Sequence, residues 1–217
     1  MKSIIFCVLV GLGLCSGSAK SEQPDLDLYR VLLDASDKDF TKDPESLQDG
    51  KYVYIIEAHR YPQGTAIGRK STAPSEVLKE RGAETVEDLV SAFLNFGKSP
   101  ADAESLVKNL YSEDSFEAIM GVLSNPESGR RFLDGIMSIE ATSLIILYRL
   151  SDQDFVLITS TQKADSLGGD SILPFRLRRE ANKYVFVAGD LSPTTRYKNL
   201  LTAFIKMGNG VPMDKIE

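Results

Sequence analysis

Apolar residues recur along this chain at two periods, and the change of period divides it. "DGKYVYIIEAHRY" (49–61) opens on an Asp-Gly turn signal and continues with tyrosine, valine and isoleucine, which predicts a first strand. "PQGTAIGRKSTAPSE" (62–76) has the proline, glycine and serine content of a loop. From residue 84 the period turns helical. Thr85 and Asp88 have capping-box spacing, with Leu89, Val90, Phe93 and Leu94 on one stripe that stops at Gly97. Ser99 and Pro100 open a second helix with Ala103, Leu106, Val107 and Leu110 on one face. A third carries Phe116, Ile119, Met120 and Leu123. Asn125 and Pro126 open a fourth, with Phe132, Leu133, Ile136 and Met137 inward.

After Glu140 the period becomes two, or continuous. "ATSLIILYRL" (141–150), "DFVLITSTQ" (154–162), "ILPFRLRRE" (172–180) and "KYVFVAG" (183–189) read as four strands, the last two joined by a tight turn at Ala181 and Asn182. Links this short make neighbouring strands antiparallel. Ser192 and Pro193 then start a final helix over 192–208, with Leu200, Leu201, Phe204 and Ile205 facing in. "LDLYRVLLDA" (26–35) is open between helix and strand. Residues 20–48 as a whole read as a flexible lead-in to a single domain over 49–217.

The predicted fold class is α+β: N-terminal helices packed on a curved antiparallel four-stranded meander, with an additional N-terminal strand and a C-terminal helix. Phe93, Leu106, Phe132, Ile146, Val156, Leu177 and Phe204 are its expected core. The order over residues 84–190, from "TVEDLVSAFLNF" to "RRFLDGIM" and then "TSLIILYRL", "DFVLITS", "LPFRLRRE" and "KYVFVAGD", resembles that of NTF2-like (cystatin-like) domains. The resemblance is architectural. It implies helices set into the concave face of a bent sheet, and a cone-shaped pocket from which enzymes of that superfamily run acid–base chemistry.

The N-terminus changes the picture of where the protein works. Lys2 precedes 11 uncharged, largely apolar residues (4–14), and the small residues Gly17 and Ala19 follow. A run of that length is too short for a bilayer, which takes roughly 20 residues. The pattern is that of a signal peptide over 1–19, cleaved near Ala19 to give a periplasmic or secreted protein. The rival is a lipoprotein acylated at Cys15, for which the bulky Leu14 is a poor neighbour. Cleavage removes both cysteines, Cys7 and Cys15, leaving no disulfide, thiolate nucleophile or cysteine metal ligand. It also removes Lys2, taking the net charge from −6 to −7, which speaks against nucleic-acid binding.

Candidate chemistry is sparse. A single histidine, His59, excludes a histidine pair for zinc, and no G-x-S-x-G surrounds a serine. No metal site and no cofactor are expected. Strand alternation puts Glu57, His59 and Tyr61 on one side and Tyr54, Ile56 and Ala58 on the other. Carboxylate, imidazole and phenol on one face are a set for general acid–base catalysis, or simply a wet face. In "FRLRREANKYVFVAG" (175–189), Arg176 and Arg178 lie opposite Phe175 and Leu177. They are candidates for an anionic ligand, or else arginines that lay their stems over apolar neighbours and pair with carboxylates such as Glu180. The structural reading is the expectation for both, and for Arg130 and Arg131. Two functions follow: an exported non-catalytic domain that binds a small ligand or a partner protein, or a small NTF2-like enzyme (lyase, isomerase or hydrolase) using His59 and Glu57. Neither involves nucleic acid or a transmembrane helix in the mature chain, and a homodimer fits both.

Overall fold

One strand, Asp154–Lys163, is apolar on both faces: Phe155 and Leu157 point one way, Val156 and Ile158 the other, and all four are buried. Such a strand needs cover on both sides. The structure, a computed structural model, describes residues 25–34, 45–48, 50–63, 65–69, 78, 80–95, 103–163, 171–188 and 211–212. The elements are β1 (Asp27–Asp34), β2 (Ser46–Gln48), β3 (Lys51–Arg60), β4 (Ala66–Gly68), α1 (Val86–Asn95), α2 (Ala103–Leu110), α3 (Glu113–Ser124), α4 (Pro126–Met137), β5 (Ile139–Arg149), β6 (Asp154–Lys163), β7 (Ser171–Glu180), β8 (Lys183–Phe186) and β9 (Val211–Pro212). The protein is α+β with an antiparallel sheet in the order β8-β7-β6-β5-β3-β1-β9; β2 pairs with the first half of β3, and β4 with the start of β5.

Buried residues fall into two clusters, one on each side of this sheet. The first joins Leu89 and Leu94 of α1, Val107 and Leu110 of α2, Ile119 and Ile136 of α3 and α4 to Leu147, Leu157, Leu177 and Phe186 of the strands. The second consists of Tyr29, Val31, Tyr54, Ile56, Ala58, Ile146, Tyr148, Val156 and Ile158. A register shift between Leu144 and Ile146 lets Leu144 and Leu147 both face the helices while Ile146 faces away.

Local chemistry sets the element ends. The Thr85 hydroxyl accepts from the Asp88 N–H (3.1 Å) and donates to the Asp88 carboxylate (2.8 Å), starting α1. Asn125 Oδ1 accepts from the N–H groups of Glu127 and Ser128, starting α4 with Pro126 in its first turn. Ala181 and Asn182 both have positive φ (46° and 68°), giving β7 and β8 a two-residue hairpin. The outer edge of β8 is not left bare: Ala83 and Tyr184 exchange backbone hydrogen bonds, and the Ser112 N–H donates to the Phe186 carbonyl. Gly82, at φ +78°, makes that approach; a side chain there would sit 2.8 Å from Lys183 Cβ.

Several expectations need correction. Within the supposed lead-in, residues 27–34 and 46–48 are strands; β1 pairs with β3 along its length and buries Tyr29 and Val31. Ala66–Gly68, placed in a loop from its composition, pairs with residues 141–143. Phe93, Ile146, Val156 and Leu177 are buried, but Phe132 is only half-buried. Met137 is 44% exposed rather than inward, because α4 turns one narrow side to the core, through Ile136. The Leu106 side chain, Phe204, the helix expected over 192–208 and the leader at 1–19 lie outside the described residues.

Candidate functional site

The row Glu57, His59, Tyr61 runs from solvent into the core. Glu57 sits opposite Arg149 in the β3–β5 register, and their side chains form an ion pair at 2.8 Å. His59 is partly exposed, and its Nδ1–H donates to the Asp25 carbonyl oxygen at 2.9 Å, which fixes the ring's orientation. Tyr61 is buried, with the His59 ring edge-on at 4.8 Å. Loss of hydration pushes its phenol pKa up, and the charge of Glu87 and the neighbouring Tyr184 add to the shift. The three groups therefore share a face, but the carboxylate is turned to an arginine and the phenol is locked as a neutral core group. Tyr61 is not part of the wet face that the bland reading assumed.

The arginines of β7 part company. Arg176 reaches Asp154 on the neighbouring strand (3.3 Å). Arg178 donates to Asp114 at the start of α3 (2.9 Å) and lies 3.7 Å from the same Asp154. Both arginines thus reach Asp154 and Arg178 also reaches Asp114, while Glu180 acts on Arg178 through its charge. Asp114 is held below the usual carboxylate range, first by the hydrogen bond from the Ser112 hydroxyl and then by that from Arg178. The Arg178 guanidinium is pushed up, mainly by its hydrogen bond to Asp114. Arg179 lies over the Tyr184 ring at 5.8 Å.

Beside Arg178 is a cleft of about 760 Å³ between α2, the start of α3 and the end of β7. Its floor is the half-buried Phe116. Arg81, Lys108 and Arg178 line it together with Glu104, Glu113, Asp114, Glu117 and Glu180, so acids outnumber bases. The walls are fixed by hydrogen bonds: Arg81 donates to the Lys108 carbonyl (3.2 Å), Asn109 to the Leu78 carbonyl (3.1 Å), and the Gly82 N–H to the Asn109 carbonyl (2.8 Å). On the helix side of the sheet, Phe93, Phe175 and Phe186 meet edge-on or tilted at 5.3–5.6 Å, with Tyr111 beside Phe186.

Among the described residues, no group of three or more His, Cys, Asp or Glu side chains could hold a metal ion, and no helix is long and apolar enough to cross a membrane. Compared with protein-family models, curated proteins and solved structures, the chain matches none. The structure thus brings Arg178, but not Arg176, to a concave surface. Sequence reasoning missed Arg81, Glu104, Lys108 and Asp114. All four lie 64 or more residues from Arg178 in the sequence, which leaves no local pattern to join them to it, and only the α2–α3 turn against the β8 edge unites them.

Proposed function

We propose that the chain is an exported, non-catalytic NTF2-like domain, with α1 to α4 set into the concave face of the β5–β8 meander, that binds a small ligand or a partner protein at the Arg178 cleft. The leader-like residues 1–19 support export. The observation that carries the binding reading is the division of labour just described: Glu57 is engaged by Arg149 and Tyr61 is packed away, while the cleft beside Arg178 is open and within the 300–1,000 Å³ of ligand sites. An aromatic floor under an excess of carboxylates suits a cationic group carried next to an apolar one, such as a lysine or arginine beside an aromatic residue in a peptide.

The test is a set of short peptides pairing Lys or Arg with Phe or Leu, followed by amide chemical shifts. Binding should move residues of α2, α3 and the end of β7, and Glu117→Gln with Glu180→Gln should weaken it at least threefold. Peptides that shift only the β3 row, or shift nothing, would defeat the cleft assignment. The second reading, a small enzyme using His59 and Glu57, draws on the fixed Nδ1–H and free Nε2 of His59. It requires His59→Ala to alter the response to a substrate, whereas the binding reading leaves cleft affinity unchanged in that variant.

A further inference from the structure

Met137, the last residue of α4, is turned outward at 44% exposure, and its sulfur meets a guanidinium. Arg69, the residue after β4, reaches the corner where α4 gives way to β5. Its Nε–H donates to the Ile139 carbonyl at 2.8 Å, its Nη2–H to the Ile136 carbonyl, and its Nη1–H to Met137 Sδ at 3.4 Å. A cation suits this place, because the carbonyls at a helix C-terminus carry partial negative charge. Two of the three bonds end on carbonyl oxygens, and the third on a thioether, which accepts weakly. We propose that Met137 is a site of reversible oxidation whose sulfoxide is captured by Arg69, so that oxidation fastens the α4–β5 corner instead of loosening it.

The oxidant is a hydroperoxide, hydrogen peroxide in its simplest form. A sulfur lone pair attacks one peroxide oxygen, so that an S–O bond forms and the O–O bond breaks. Sulfur gives up two electrons and the peroxide takes them. The departing hydroxide receives the proton of the transferred oxygen, and the products are a sulfoxide and water. The sulfur is within reach of solvent because Met137 is exposed, whereas Met120 of α3 is half-buried against the helix-side core. In a core, a methionine sulfoxide is disruptive, since a polar group replaces an apolar one. At Met137 the sign reverses.

A sulfoxide oxygen accepts from a guanidinium in a charge-assisted bond, which is stronger than the bond a thioether accepts. An S–O bond of about 1.5 Å and an N–H···O separation of about 2.9 Å place sulfur roughly 3.9 Å from Nη1. The present 3.4 Å lengthens by about half an ångström to admit the oxygen. A solvent-facing side chain absorbs that by rotating about its Cγ–Sδ bond. Meanwhile the two bonds to backbone carbonyls hold the guanidinium in place. Those carbonyls belong to Ile136 and Ile139, both buried in the helix-side core, so a firmer hold at Arg69 is passed to packed residues. The inference does not depend on the cleft: failure of cleft binding would leave it standing.

It is tested on the full chain with limiting hydrogen peroxide. Tryptic peptides 132–149 and 109–130 each hold one methionine, Met137 and Met120 respectively, and the sulfoxide should form at least fivefold faster in the first. The thermal midpoint of the oxidised protein should rise by about 2–4 °C, the response of a chain of this size to one added hydrogen bond. Met137→Leu, which keeps the volume and offers no acceptor, should show no rise. In the parent, methionine sulfoxide reductases acting on both epimers should reverse it. The Nη–H protons of Arg69 should exchange with water at least threefold slower after oxidation, a readout that needs no variant to fold. Equal rates at the two methionines, a midpoint that stays or falls, an equal rise in Met137→Leu, a rise the reductases leave in place, or unchanged Arg69 exchange would each overturn the proposal.

Discussion

Arg149 lies directly opposite Glu57 across the β3–β5 pair and holds its carboxylate at 2.8 Å. Two residues along the same strand, His59 receives nothing from that carboxylate and is oriented by the Asp25 carbonyl instead. The residue spacing that suggested a catalytic pair is thus absorbed by a cross-strand ion pair. Both side chains are partly solvated, at 30% and 42% exposure, so the pair is worth under about 1 kcal/mol. A double-mutant cycle of Glu57→Gln and Arg149→Gln in urea denaturation should return a coupling of that size, falling as salt is added. His59→Ala should change stability by less than about 0.5 kcal/mol. A loss of several kcal/mol would mean that the row is structural in a way the hydrogen bonds do not reveal.

How far the sequence could foresee this follows from which signals are local. The helix starts at Thr85 and Asn125 were legible because a cap and its N–H partners lie within three residues. The Ala181-Asn182 turn and the alternation of β5 to β8 are equally local. β1 was not legible: Tyr29 and Val31 alternate as in a strand, but Leu28, Val31 and Leu32 have the i, i+3, i+4 spacing of a helical face, and only pairing with β3 decides. β4, three residues long, has no internal period at all. The cleft was out of reach for the same reason. Arg178 meets Asp114, 64 residues away, through the docking of the α3 N-terminus against the sheet.

The β7–β8 hairpin turns on an alanine where φ is +46°. A residue with a Cβ gives up about 1 kcal/mol in that conformation, and asparagine tolerates it best. Ala181→Asn should therefore stabilise the protein by about 0.5–1 kcal/mol, read as a higher urea midpoint at unchanged slope. A lower midpoint would show that Ala181 makes contacts worth more than the strain.

Two glycines of α4 should respond in opposite directions to the same substitution. A methyl group at Gly129 would sit 2.6 Å from the carbonyl oxygen of Leu123, where α3 and α4 meet, whereas one at Gly135 meets nothing within 4 Å. Alanine normally gains up to about 1 kcal/mol over glycine inside a helix. Gly135→Ala should realise much of that gain. Gly129→Ala should instead lose about 1–3 kcal/mol, since backbone must move to admit the methyl group. Thermal unfolding of the two variants checks the pair, and equal shifts would contradict the close packing of the α3–α4 corner.

Asp114 links the cleft to acid stability. Its carboxyl is held low by the Ser112 hydroxyl first and by Arg178 second, so the folded state favours the charged form more than the unfolded chain does. The contribution is therefore complete above the unfolded value of about 3.9 and is lost as pH falls through the depressed folded value. Asp114 is 60% exposed at its side chain, so the effect is modest, below about 1 kcal/mol. Asp114→Asn should be less stable than the parent at neutral pH, and the two should converge at the acid end of a denaturation series. Carboxyl-carbon NMR supplies the microscopic check: Ser112→Ala should raise the Asp114 titration midpoint, and Arg178→Gln should raise it as well. If neither variant moved the midpoint, the hydrogen bonds from Ser112 and Arg178 would not be what holds this wall of the cleft in place.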